Sequence, residues 1–221
     1  IMNIFEIQSS FPLTKIDENF INLLNPKLSL RVNPLEMKNY NNNNRRINNE
    51  NIFNIDRLGL IDTLESGQNL TLGIDFKKER LNDINRYFEL KLATVLRSKS
   101  NDRIPTNSTL DQKNSNFFGK LTNNFNENIS LDYEFSIDNN LNKVQYNSLG
   151  TTFSKGNFET TFNYIEENGA IGSSNIFENS TSLNFDENNF ITFRTRKNRE
   201  IDLTEYYDLI YEYKNDCLVA G

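Results

Sequence analysis

The most constraining feature of this chain is a strict alternation of apolar and polar residues over 129–137. Successive side chains of a β-strand point to opposite faces of the sheet, so one face would carry every apolar residue of this stretch. Those residues are Ile129, Leu131, Tyr133, Phe135 and Ile137. The same period of two recurs along most of the chain with almost no helical pattern between. The sequence therefore predicts an antiparallel sheet with one apolar and one polar face.

The alternation predicts eleven strands and the start of one more at 217. The predicted strands are 2–10, 28–32, 69–76, 88–97, 115–125, 129–137, 142–154, 158–166, 176–186, 189–198 and 203–214. We expect Pro26 and Pro34 to bound the second strand, because proline interrupts a hydrogen-bonded ladder. Residues 34–66 show no steady period, and an irregular segment of that length is typically functional or poorly ordered.

The links between strands favour a membrane barrel over a soluble sandwich. Short turns tend to alternate with longer polar links along the chain. The predicted short turns are 126–128, 138–140, 155–157, 186–188 and 214–216, and the longer links are 98–113, 167–175 and 198–203. Bacterial outer-membrane barrels show this asymmetry, with short periplasmic turns and longer outer loops. A sandwich has no need of it.

The composition supports a sheet with one wet face. Only 36% of the 221 residues are hydrophobic, which is little material for a buried core of this size. Aromatic residues make up 12% of the chain, and this content, with the regular alternation, argues against disorder. A soluble sheet with one polar face and a barrel with a polar lumen both fit these numbers.

Several kinds of chemistry are excluded or disfavoured. The chain has no histidine and a single cysteine, which excludes zinc sites, Cys–His pairs and Ser–His–Asp triads within it. The net charge of -6 with no basic stripe makes nucleic acid an unsuitable partner. Asp56 and Asp62 could form a carboxylate pair, but no acid, base or nucleophile is organised around them. We therefore expect a non-enzymatic protein without metal or cofactor, in which 34–66 is a polar loop packed by Phe53 and Arg57.

The irregular stretch nevertheless contains an ordered series of residues. They are Asn44, Arg45, Arg46, Ile47, Asn49, Glu50, Asn51, Phe53, Arg57, Gly59, Asp62, Gly67 and Gly73. Their order and spacing resemble the lipopolysaccharide (LPS) assembly protein family LptD, in its alphaproteobacterial version. Two further stretches, 24–26 and 213–218, are similar to motifs of that family. Asn25 and Thr63 depart from the pattern, which has Glu and Arg there, so no charge-specific role is carried over to them.

The resemblance implies a fold and a function. Residues 1–221 would be part of the C-terminal domain, an all-β, antiparallel, up-and-down transmembrane β-barrel. The loop 34–66 would be inserted, and the N-terminal periplasmic domain and the closing strands would lie outside this chain. The family implies transport of LPS to the outer leaflet of the Gram-negative outer membrane, through a plugged barrel with lateral opening. The implied partners are LPS, an LptE-like plug lipoprotein, an LptA-like periplasmic bridge and outer-membrane lipids.

Cys217 has two interpretations. A lone cysteine in a sheet is usually an inert small hydrophobic residue. In the family, late-barrel cysteines form disulfides with the N-terminal periplasmic domain, so the resemblance implies such a bond for Cys217. The oxidising periplasm would permit it.

Two other classes of function remain open from the residues. A porin or other diffusion channel would share the alternation but not the ordered series in the irregular stretch. A soluble Asn-rich β-sandwich or adhesin would share the polar loops and one polar face.

Overall fold

The computed structural model describes residues 4–214 and 219–220. Those residues form thirteen β-strands in one sheet and a single 3-10 turn at Thr106–Ser108. The strands are β1 (Phe5–Ser10), β2 (Leu13–Ile16), β3 (Phe20–Asn33), β4 (Gly67–Arg80), β5 (Asp83–Arg97), β6 (Phe117–Asn126), β7 (Ile129–Ile137), β8 (Val144–Lys155), β9 (Phe158–Glu167), β10 (Ser174–Asn184), β11 (Asn189–Asn198), β12 (Leu203–Lys214) and β13 (Val219–Ala220). Within the described residues, no helix is long and apolar enough to span a membrane.

Every strand pairing in the sheet is antiparallel, and from β3 onward each strand pairs with the next one along the chain. Both β1 and β2 pair with β3, so together they act as one kinked edge strand. Within the described residues β1 and β13 do not pair with each other, so the sheet is open. This confirms the predicted all-β, up-and-down fold in the form of a partial barrel.

The structure corrects the prediction for the N-terminal strands. The alternation predicts a short strand at 28–32, bounded by Pro26 and Pro34, but β3 runs through Pro26 from Phe20 to Asn33. The Pro26 carbonyl accepts a hydrogen bond from the Phe11 amide at 3.0 Å, so the backbone carbonyl and nitrogen of Pro26 face the β1–β2 edge. The missing N–H therefore falls at the kink between β1 and β2, where it interrupts no regular ladder.

The pairing register separates the side chains into an apolar face and a polar face. Leu28 of β3 lies opposite Leu72 of β4, and Tyr133 of β7 lies opposite Leu149 of β8. Large side chains of this apolar face are exposed to a degree that soluble monomers rarely tolerate. They include Leu28, Leu30, Leu72, Ile74, Leu92, Leu96, Phe117, Leu149, Phe153, Phe162, Phe177, Phe193, Tyr207, Leu209 and Tyr211.

The strand with the clearest alternation follows its predicted faces. In β7, the rings of Tyr133 and Phe135 lie together on the apolar face, with centroids 5.5 Å apart. Asp132 lies on the polar face, where its carboxylate accepts a hydrogen bond from the Thr122 hydroxyl at 2.7 Å. The polar face of this strand is therefore organised by hydrogen bonds between neighbouring strands.

Long and short links lie at opposite ends of the sheet. The links at one end are 34–66, 98–116, 138–143, 168–173 and 199–202, and those at the other are 17–19, 81–82, 127–128, 156–157 and 185–188. One predicted short turn, 138–140, belongs to the end with the long links. The Asp138 carboxylate accepts hydrogen bonds from the backbone amides of Asn142 and Lys143, at 2.7 and 2.9 Å, which extends that turn to residue 143.

Two long links, 34–66 and 98–116, fold back over the polar face of β3–β7, and we call them the cover. The hydrophobic core of the described residues lies between the cover and the sheet. It consists of Met37, Ile47, Ile52, Leu58, Leu60, Ala93, Val95, Ile104, Leu110 and Phe118. The core is therefore made by loop residues packed against a few apolar positions of an otherwise polar face.

We predict that the two faces of β12 meet different solvents in the full-length protein. Asp208→Cys and Leu209→Cys, each in a cysteine-free background, place a thiol on the polar and the apolar face respectively. In proteoliposomes, a membrane-impermeant thiol reagent should label position 208 and leave position 209 unlabelled until detergent is added. Equal labelling at both positions before detergent would contradict a lipid-facing apolar surface.

Candidate functional site

Charged side chains are concentrated where the cover meets β3, β4 and β5. The register aligns Arg31 of β3, Asn69 of β4 and Arg97 of β5 in one row on the polar face. The cover adds Arg57 and Glu65 above this row. The side chains of the three arginines and of Glu65 are at most 3% exposed, so little of the cluster is reached by solvent.

Glu65 is the centre of this ionic cluster. Its carboxylate accepts two hydrogen bonds from Arg57, with Nε at 2.7 Å and Nη2 at 2.8 Å. Arg97 donates to the same carboxylate through Nη1, and Asn69 donates through Nδ2 at 3.1 Å. The Arg31 guanidinium lies 3.7 Å from it. One carboxylate therefore joins the cover to three strands of the sheet, β3, β4 and β5.

The charges around Glu65 keep it ionised. Burial by itself would raise the pKa of this carboxyl, but Arg57 first, and then Arg97 and Arg31, hold the pKa below its ordinary value of 4.5. A carboxyl with a lowered pKa in the folded protein stabilises the fold above its unfolded pKa. That contribution is present at neutral pH and is lost as the pH falls through the lowered pKa.

A second carboxylate extends the cluster to the edge strand. Glu6 of β1 accepts hydrogen bonds from Arg31 Nη2 at 2.8 Å and from the Ser29 hydroxyl at 2.6 Å. The same Arg31 nitrogen donates to the backbone carbonyl of Asn54 in the cover, at 2.8 Å. The cluster thus holds three guanidiniums and two carboxylates, which leaves one positive charge in excess.

Arg57 also pins the cover to the sheet through neutral groups. Its Nη1 donates to the Thr71 hydroxyl of β4 at 2.9 Å and to the Ile52 carbonyl within the cover at 3.2 Å. A guanidinium has five N–H donors, and here they are shared between the carboxylate, the strand and the loop backbone. Arg57 therefore fixes both the shape of the cover and its position.

Phe53 and Gly73 form a close contact between the cover and β4. A Cβ at Gly73 would come within 2.6 Å of the Cζ atom of Phe53, so only glycine leaves room for the ring. Lys27 of β3 places its ammonium 5.7 Å from the centre of the same ring. This pair of residues sets how closely the cover approaches the polar face.

Gly67 performs a similar role beside Arg97. It has a φ of +93°, and a Cβ there would lie 3.0 Å from Nη2 of Arg97. Among the other residues of the ordered series, Gly59 takes a φ of +55° in a turn of the cover. Asn51 shapes a second turn, where its side chain accepts a hydrogen bond from the Asn48 amide at 2.9 Å.

Only part of the ordered series contributes to the ionic cluster. Phe53, Arg57, Gly67 and Gly73 meet at or beside the ionic cluster, whereas Asp62 is exposed and lies 3.8 Å from Lys38. Asp56 is exposed as well. Cys217 lies outside the described residues.

The sequence did not predict Glu65, which accepts the most hydrogen bonds in the ionic cluster. It also did not predict the two charged strand partners of Glu65, Arg31 and Arg97. A signal for the partners was present, since Arg31 and Arg97 both fall on the polar phase of alternating strands. Charged residues on a covered face require an opposite charge nearby, because an unpaired buried charge is very costly. Within the described residues, no group of three or more acidic or cysteine side chains could hold a metal ion.

Comparison with protein-family models matches residues 1–188 to the family described as LptD, LPS transport system D. The matched range includes β1–β10, the whole cover and the ionic cluster. A search of curated proteins finds no match to this chain.

We predict that Glu65→Gln loosens the cover. The substitution leaves three buried guanidiniums with one carboxylate, and breaking a buried ion pair in this way typically costs about 3–5 kcal/mol. Trypsin cleavage after Arg57, which is buried when the cover is docked, reports the free energy of opening under native conditions. Glu50→Gln is the matched control, because Glu50 is 64% exposed and its pair with Lys120 is worth about 0–1 kcal/mol. Equal cleavage rates in both variants would contradict the role of Glu65.

We predict that Gly73→Ala weakens docking of the cover mainly through its contact with Phe53. Forcing a methyl group into this contact should cost about 1–3 kcal/mol of opening free energy in the same proteolysis assay. In a Phe53→Leu background the same substitution should cost less, with a coupling of at least about 0.5 kcal/mol. Strictly additive effects of the two substitutions would show that the ring does not limit this position.

Proposed function

The chain belongs to the LptD family, and from that membership we propose that it forms part of an outer-membrane barrel wall that passes LPS to the outer leaflet. The observation that carries the proposal is the family match over residues 1–188 combined with the open antiparallel sheet. An exposed apolar face suits contact with lipid tails, and a polar face suits a hydrated lumen. No bond is made or broken in this role.

The two faces fit the chemistry of an amphiphilic cargo. LPS has a polar sugar chain, which needs a hydrated path, and acyl chains, which need a lipid environment. The polar face of β8–β12 offers hydroxyl, amide and charged groups to such a path, for example Ser148, Asn163 and Arg194. We propose that the sugar chain passes on this side of the wall and that the acyl chains leave by lateral opening between strands outside this chain.

The cover has a defined place in this proposal. It occupies the lumen side of β3–β7 and is tied there by Arg57 and Glu65, so it narrows the lumen as a fixed element. An LptE-like plug lipoprotein would then sit beside the cover, against the polar face of β8–β12. An LptA-like bridge would deliver LPS through the N-terminal domain of the parent protein.

The proposed disulfide of Cys217 belongs to the same arrangement, since it would link the barrel to the periplasmic domain. Non-reducing gels of the full-length protein test it. Unchanged mobility of a Cys217→Ser variant would contradict the bond.

The family match favours LPS transport over a porin, and the exposed apolar face argues against a soluble sandwich or adhesin. These alternatives also differ in what they predict for the purified protein. A porin would conduct ions without a plug, and a soluble sandwich would stay in solution without detergent.

We predict that depleting the full-length protein in its own bacterium removes newly made LPS from the cell surface. LPS should accumulate in the inner membrane, and the wild-type gene should restore its export. A variant lacking residues 40–60 should lose export or plug retention, because the cover is then absent. Normal surface LPS after depletion would overturn the proposed transport function. Normal export and plug retention by the 40–60 deletion would overturn only the role of the cover.

A further inference from the structure

A cleft of 650 Å³ opens at the end of the sheet that carries the long links. It lies where β3 and β5 end and β4 begins, next to the first residues of both parts of the cover. Its volume is within the range of sites that bind small molecules or single sugar units. The buried ionic cluster lies directly behind it, because Arg97 belongs to both.

The walls of the cleft are rich in hydrogen-bond donors and positive charge. Arg97, Lys99 and Arg103 are its cationic residues, and Glu36 is its one acidic residue. Glu36 is 84% exposed and pairs with Arg103 at 2.7 Å. Lys99 is exposed and has no ion-pair partner among the described residues. The hydroxyls of Ser98 and Ser100 flank Lys99. Such a set of donors complements an anion that also carries hydroxyl groups.

The floor of the cleft is ordered before any ligand arrives. The Asn101 side chain donates to the Ser66 hydroxyl at 2.8 Å and accepts from the Arg103 amide at 3.0 Å. The Arg97 guanidinium donates to the Ser66 carbonyl and to Glu65. A ligand would therefore not have to order these groups, which lowers the entropic cost of binding.

The charge behind the floor supplies an independent argument for an anion. The buried cluster contains one more guanidinium than carboxylate, and Arg97 is the member that lines the cleft. Asp111 lies within electrostatic range of Arg97 and offsets part of this positive charge, and an anion in the cleft would offset more of it. A negative group bound beside Arg97 and Lys99 would offset that excess.

We propose that this cleft binds an anionic sugar unit, one that bears phosphate or carboxylate groups. The assignment of that sugar to LPS rests on the proposed function, and the anionic chemistry does not. Lys99 supplies the unpaired charge, the serines supply hydroxyl contacts, and Arg97 supplies a fixed positive field at the base. The cleft would hold the sugar portion of LPS at the loop end of the barrel.

Calorimetric titration of the full-length protein in detergent tests the proposal. The probes are delipidated LPS core oligosaccharide, the same oligosaccharide after dephosphorylation, and inorganic phosphate. The substitution is Lys99→Glu, and the matched control is Lys113→Glu, which makes the same charge change in the same part of the cover but outside the cleft. We expect Lys99→Glu to weaken oligosaccharide binding at least about tenfold and Lys113→Glu to change it less than about twofold.

The other outcomes decide which parts of the proposal stand. Absence of binding by the wild-type protein, or equal weakening by both substitutions, would overturn the site. Equal affinity for inorganic phosphate and for the oligosaccharide would overturn recognition of a sugar. Unchanged binding after dephosphorylation would assign recognition to carboxylates. The depletion experiment is separate, so oligosaccharide binding together with normal surface LPS would refute the transport function and leave the cleft in place.

Discussion

The bidentate contact between Arg57 and Glu65 is the interaction on which the rest of this structure depends. Both side chains are at most 3% exposed, and both come from a segment with no secondary structure of its own. Burying charges is favourable only when geometry and further hydrogen bonds compensate for lost hydration. Here Arg97, Asn69 and Thr71 provide those hydrogen bonds from the sheet. The cover can therefore satisfy its buried charges only in its docked position.

The cover also solves a packing problem set by the two-faced sheet. The strands place most of their large apolar residues on the exposed apolar face, so the polar face has little material for a core. The cover brings its own apolar residues, such as Ile52 and Leu58, and packs them against Val95 and Phe118. A hydrophobic core thus forms beside a polar cluster on the same face. In the proposed barrel this arrangement would leave a hydrated path beside the cover.

The predictability of the fold follows from the period of its strands. From β4 to β12 the alternation located every strand, because a shift of one residue would turn every apolar side chain to the polar face. The prediction failed at β3, where Pro26 suggested an interruption although its missing N–H lies at a kink in the neighbouring edge. Strand β2 was also missed, because it is only four residues long and directly follows Pro12.

The ionic cluster could be predicted only in part. Family resemblance pointed to Phe53, Arg57, Gly67 and Gly73, but it passed over Glu65. Nothing local marks Glu65, because its partners Arg31 and Arg97 are each more than thirty residues away along the chain. Contacts of that separation are fixed by tertiary folding of an aperiodic segment. Sequence periodicity places Arg31 and Arg97 on the polar face but does not identify Glu65 as their partner.

The most direct test of the central claim is hydrogen exchange of the cover in the full-length protein at neutral pH. The amide of Tyr40 donates to the Arg103 carbonyl at 2.8 Å, and the amide of Ile52 donates to the Asn48 carbonyl at 3.0 Å. If the ionic cluster holds the cover on the polar face, both amides should exchange far more slowly than in an unfolded peptide, and Glu65→Gln should remove much of that protection. Exchange of both amides at the unfolded-peptide rate in the wild-type protein would contradict the account.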